Sequence, residues 1–243
     1  MRLAKTAALL LAATAAMSCM SFNLGTVKPN IALGSEIVST PELKAMLQEI
    51  PKPKIVIRVP NPPANVTEAD RFNSYINVIE KTFVQAGYTV RDRALLQNVM
   101  GGGNVDYKSL KEKIDTDLII DILGLQFDGS TAVHTFFNKT TQKEEPFATP
   151  QTYVECGFAS LECRVTIVDR GQLGGMFTLR TSPADAQELD FYIDGFRQNM
   201  AWVGQESAGL FPVLRIVIGE EQKLQFTQVL ARRLIDLLSG PKG

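Results

Sequence analysis

A chain of 243 residues, 45% of them hydrophobic and 21% charged, has the balance of a globular protein and the length of one domain, with or without large insertions. A formal charge of −1 excludes the basic footprint of a nucleic-acid binder.

Met1 to Ser18 has the three parts of a secretory signal. Arg2 and Lys5 supply a positive start, Ala7 to Ala16 an uncharged Ala/Leu stretch, and Ala16-Met-Ser18 a small-residue end directly before Cys19. The apolar run falls short of the roughly 20 residues that span a bilayer. Small residues followed by Cys resemble a lipobox, the bacterial lipoprotein processing site, although Ala16 stands where Leu is usual. The alternative is an ordinary cleaved signal with an incidental Cys. Lipid on Cys19 would supply the two-chain anchoring that holds a protein on a membrane. Met20 and Ser21 are not the Asp that retains enterobacterial lipoproteins at the inner membrane. The expected location is therefore the outer membrane, lipid-anchored, on the periplasmic face. Removing residues 1–18 takes two positive charges and leaves a body of about −3. With Cys19 spent on lipid, Cys156 and Cys163 remain. An oxidising compartment allows a disulfide between them, and the alternative is two free thiols on neighbouring strands.

Residues 19–38, with Gly25, Pro29, Asn30 and Gly34, show no period and read as a flexible tether. Thr40 and Pro41 predict a helix start, and Leu43, Met46, Leu47 and Ile50 its apolar face. Lys54 to Val59 is a β-branched strand run. The next helix is predicted to be capped by Thr67, to bury Phe72, Tyr75, Ile76, Ile79 and Phe83, and to close at Gly87. A short strand at Tyr88 to Arg91 and short helices at Ala94 to Met100 and Asp106 to Ile114 follow. Asp117 to Leu125, apolar on both faces apart from Asp121, predicts a central strand. Residues 138–145 are polar and irregular. Leu161 to Ile167 and Met176 to Arg180 predict a hairpin, Val213 to Ile218 a strand, and Phe226, Val229, Leu230, Leu234, Leu237 and Leu238 the inner face of a last helix. Alternating strands and helices followed by a hairpin argue an α/β fold, a three-layer-like sandwich of a mixed sheet with flanking helices.

No catalytic constellation emerges, so the expected function is not enzymatic, with no cofactor and no metal. His134, the one histidine, has no partner nearby in sequence and reads as a surface or strand residue. Gly101 to Gly103 lack the Lys-Ser/Thr of a phosphate-binding loop. Asp115, Asp117 and Asp121 lack calcium-loop spacing and read as solvated strand-end charges. Asn65 and Asn138 open glycosylation sequons, relevant only to a eukaryotic secretory route.

Three stretches carry a resemblance: NVIEKTFVQAGYTVRDRALLQNVM, IDTDLIIDILGLQF and CRVTIVDRGQLGGMFTLRTS. Together they resemble the curli secretion channel lipoprotein family, CsgG, whose core recurs in the penicillin-binding-protein activator LpoB and the amino-terminal domain of TolB. The likeness runs over residues 52–125 and 160–182 and the final helix. Its elements are the strand at Tyr88 to Arg93, the helix at Ala94 to Met100, the strand at Thr116 to Leu125 and the hairpin at Val165 to Thr181. The sequence departs from the family at Asp169 to Gln172, at Gly174-Gly175 and at Gly124-Leu-Gln. The resemblance implies a single domain over residues 39–243 with inserts at 126–160 and 183–218. It implies a binding or assembly component of the cell envelope that contacts the membrane through Cys19 and a protein partner or further copies of itself. Alternatives from the same resemblance are an oligomeric CsgG-type secretion channel subunit, whose barrel the two inserts would build, and an LpoB-like activator of a peptidoglycan synthase.

Overall fold

The computed structural model describes residues 23–27, 35–100, 107–147, 154–181, 189–194, 197–199, 205–208, 213–216 and 218–239. The signal-like segment, Cys19 and the glycines at 101–103 lie outside them.

In chain order the chain forms β1 (Asn23–Val27), β2 (Glu36–Ser39), α1 (Pro41–Glu49), β3 (Ile55–Arg58), α2 (Val66–Gln85) and β4 (Val90–Arg91). Then come α3 (Arg93–Met100), α4 (Tyr107–Ile114), β5 (Leu118–Val133), β6 (Thr135–Asn138) and β7 (Lys143–Pro146). The remainder is β8 (Val154–Ile167), β9 (Gln172–Thr181), β10 (Leu189–Asp194), β11 (Arg197–Asn199), β12 (Gln205–Ala208), β13 (Val213–Ile216) and α5 (Glu220–Leu238). The chain falls into two compact units, one from Met1–Asn30, Ala132–Glu155 and Ala184–Ile216, the other from Ile31–Thr131, Cys156–Pro183 and Val217–Gly243.

The larger unit is an α/β fold around a mixed sheet of order β4-β3-β5-β8-β9-β2. β3 pairs in parallel with both β4 and β5, and β9 pairs antiparallel with β8 and with β2. Side chains alternate across a strand. Ile55 and Ile57 therefore enter one core with Ile76, Ile79 and Phe83 of α2 and Phe226, Leu230, Leu234 and Leu238 of α5. Val56 enters the opposite core with Leu96 of α3, Leu110 and Ile114 of α4, and Ile119. Helices on both faces bury both sides of β3 and the start of β5, as a parallel sheet requires. In the smaller unit β1, β6, β7, β10 and β11 form an antiparallel sheet of order β11-β10-β1-β6-β7, and β12 with β13 forms a hairpin.

Several predicted ends hold. The Thr40 hydroxyl accepts the Leu43 N–H at 3.2 Å with Pro41 in the first turn. Gly87 follows α2 with φ +85, where only glycine sits without strain. Other expectations are corrected. The cap of α2 is Asn65, not Thr67: the Asn65 carboxamide oxygen accepts the N–H groups of Thr67 and Glu68 at 2.9 and 3.4 Å. Asn outranks Thr as a cap, and Thr67 falls inside the first turn. Asn65→Ala is expected to lower stability by about 1 kcal/mol, read from the urea midpoint. The tether reading is corrected at Asn23–Val27 and Glu36–Ser39. β1 pairs with β10 and β6 and β2 with β9, through backbone ladders that need no apolar period. The irregular stretch 138–145 is the turn and flanking strands of the β6–β7 hairpin. There buried Asn138 accepts the N–H groups of Thr140 and Thr141 at 2.9 and 3.2 Å, an Asx turn.

Candidate functional site

Asp115, Asp117 and Asp121 come from one strand entrance and meet three different environments. Asp115 is half exposed and adopts φ +54. Its carboxylate takes the Lys54 ammonium at 2.7 Å and Arg91 at 2.5 Å, and the Lys54 contact first, with Arg91, holds it below the usual carboxylate range. Asp117 is buried, accepts the Lys54 N–H at 2.8 Å and pairs with Lys111. It ties the start of β5 to the start of β3.

Asp121 is fully buried, which corrects the expectation of a solvated charge. It lies beside Arg58 in the β3–β5 register. Its carboxylate takes both Nε and Nη2 of Arg58, the latter at 2.8 Å, and from β8 it takes Nε and Nη2 of Arg164 at 3.0 and 2.7 Å. A carboxylate withdrawn from water is tolerable only with partners of this kind. The hydrogen bond to Asp121 in turn raises the Arg58 pKa. The sequence signal was present: an acid inside an apolar β run, with one arginine in each of two other strand runs.

This cluster belongs to a row across the sheet. Directly opposed residues share a face. The registers place Val38 opposite Met176, Met176 opposite Arg164, and Arg58 opposite Asp121, so the row runs from an apolar edge to an ionic centre. At the edge Val38 is 64% exposed and Met176 40%. Among the described residues β2 pairs only with β9, so its outer backbone edge is open. On the other face Ile37, also exposed, lies opposite Phe177. Beneath it a groove of about 460 Å³ is lined by Ile37, Leu43, Leu47, Phe177 and Leu237, with Lys44 and Asp236. An unprotected edge strand with apolar side chains on both faces is an arrangement proteins avoid except where another chain covers it.

The cysteines are corrected as a bridge. Both lie on β8, seven residues apart in one extended strand, and both are buried free thiols. Seven residues of strand separate their Cα atoms by roughly 23 Å, against a disulfide limit of about 7 Å. Burial pushes each thiol up to about 12. An unfolded thiol ionises near 8.5 while the folded ones stay neutral. Their contribution to stability is therefore complete below about pH 8.5 and is lost as pH rises toward 12. Stability measured between pH 8 and 10.5 is expected to fall more steeply for the wild type than for the Cys156→Ala, Cys163→Ala double variant. Equal slopes would show that the thiols titrate alike folded and unfolded.

His134 is exposed, at the break between β5 and β6, and its carbonyl accepts the Phe147 N–H at 3.2 Å. Among the described residues no group of three His, Cys, Asp or Glu side chains converges as a metal site. No described helix is long and apolar enough to cross a membrane.

The sequence matches no family model and no curated protein. Among solved structures it is similar to a PDZ domain protein from Parabacteroides distasonis, at 10% identity and a TM-score of 0.27, over 75% of this chain. The chain spans 42% of the length of that protein.

Proposed function

We propose that the protein is a lipid-anchored component of the bacterial cell envelope, held at the outer membrane through Cys19, whose α/β body binds a protein partner and catalyses no reaction. The open β2 edge carries the binding part of this reading. Among the described residues it offers backbone groups that no strand takes, with an apolar groove on one face and Val38 and Met176 on the other, the elements of β-strand addition. Cys19 behind a signal-like segment carries the anchor, and the CsgG-type resemblance of the core points to the same class. Labelled palmitate is expected to enter the wild type. Cys19→Ala is expected to take up none and to move to the soluble fraction. Val38→Lys should keep the anchor and lose the partner. A Cys19→Ala protein that stays in the membrane would end the lipoprotein reading.

The channel reading has an observation of its own. Past its buried start at Leu118–Ile122, β5 runs on over residues 123–133 with exposed and half-buried positions alternating from Gln126, the roughly 9–11 residues that a membrane-crossing barrel strand needs. It requires a homogeneous ring in detergent, visible by negative stain. A monomer or dimer that stays soluble without Cys19 would exclude it.

A further inference from the structure

The connections of the larger unit create a second site, away from the β2 edge. From β3 the chain passes through α2, on one face of the sheet, to β4. From β4 it passes through α3 and α4, on the other face, to β5, which lies on the far side of β3. The two connections leave the carboxyl ends of neighbouring parallel strands toward opposite faces. In open α/β sheets ligands bind in the crevice so formed.

That crevice holds a pocket of about 80 Å³, framed by Arg58 at the end of β3, Pro62 and Pro63 in the following loop, Phe72 and Asn73 of α2, and Arg93 at the start of α3. The volume accommodates roughly five waters, the bulk of one oxyanion group and not of a nucleotide. Its polar side chains are two guanidinium groups, which only donate, and the Asn73 carboxamide, whose NH₂ donates. Arg58 is oriented by the fully buried Asp121. Arg93 gives one N–H to the Asn77 carboxamide at 3.1 Å, while its Nε stands 3.9 Å from Glu80, beyond hydrogen-bond reach. Glu80 therefore meets Arg93 as a long ion pair, its carboxyl raised above the usual range by burial and held down by the Arg93 charge. The Asn73 amide has no hydrogen-bond partner among the described residues. Proline and phenylalanine walls lower the local dielectric, which strengthens charge-assisted hydrogen bonds.

We infer that this pocket binds a single oxyanion group, the phosphate or carboxylate of a small ligand, with Arg93 and Asn73 as donors and Arg58 as a fixed positive charge. Planar guanidinium groups match either anion through paired N–H bonds.

The test uses the full chain in detergent, with constant ionic strength kept by sodium chloride. Inorganic phosphate and acetate are titrated separately by calorimetry, with the arginine Nε–H resonances followed in parallel. Saturable binding of at least one anion is expected, with a shift of the Arg93 resonance. Phosphate alone would identify a phosphoryl ligand, acetate alone a carboxylate. Arg93→Gln is expected to weaken binding about tenfold or more, the value of a hydrogen bond to a charged group. Arg93→Lys should recover part of that loss, and Arg232→Gln, on exposed α5 surface, should leave affinity within about twofold. Arg58 is left intact, because its removal would strip Asp121 of a partner. Heats no larger than those of chloride dilution for both anions, or an Arg93→Gln protein that binds like the wild type, would overturn the inference.

Discussion

Asp121→Asn is expected to be among the most damaging single substitutions in the larger unit, lowering stability by about 3–5 kcal/mol. The side chain is fully buried, and its two oxygens take four N–H donors from Arg58 and Arg164. An amide keeps the shape and loses the charge, and its NH₂ points a donor at a guanidinium. Two partly buried arginines then face each other across β5 with no negative charge between them. The loss is large against a total stability of about 5–15 kcal/mol. Asp121→Leu combined with Arg58→Met and Arg164→Met is expected to lose less than Asp121→Asn alone, because removing a whole buried cluster leaves no charge stranded. Urea unfolding of both proteins decides the matter. A loss under about 1 kcal/mol for Asp121→Asn would show that water reaches the arginines and that the cluster contributes little.

Phe83→Ala is expected to cost about 3–5 kcal/mol through lost transfer energy and the cavity left behind. Phe83 is fully buried on α2 and meets Tyr88 edge-on, with ring centroids 5.3 Å apart at 86°. The Tyr88 hydroxyl lies 3.2 Å from that of Ser239, just past α5, so the aromatic pair joins α2, the entry to β4 and the last helix. Phe83→Leu fills much of the volume and should cost about 1 kcal/mol. Thermal and urea unfolding of the two variants test this. Equal losses would mean that the cavity collapses and that ring geometry is immaterial.

The elements most legible in the sequence were those whose signals are local. Thr40 and Pro41 start α1 because a hydroxyl cap and a preset φ act within one turn. The apolar stripe of α5 buries Phe226, Leu230, Leu234 and Leu238, as its spacing predicts. Gly87 ends α2 through its positive φ. Strand lengths were less legible. β5 continues eight residues past Leu125, to Val133, through polar positions whose ladder is a backbone property. β1 was missed for the same reason. In β8 a periodic half-buried stretch was recognised, but not its start at Val154, where the alternation is irregular.

Composition and spacing alone thus pointed to an α/β body, the start of α1, the end of α2 and the buried stripes of its longest helices. These follow from interactions within a few residues along the chain. Only the tertiary structure decided that Asp121 is a buried ionic centre, that Cys156 and Cys163 stand too far apart to bridge, that β2 is an edge strand among the described residues, and that Arg58 and Arg93 share one crevice. Each depends on which strands become neighbours and in what register. Pairing by backbone hydrogen bonds is nearly indifferent to side-chain identity, so the sequence leaves that choice to the packing of the whole sheet.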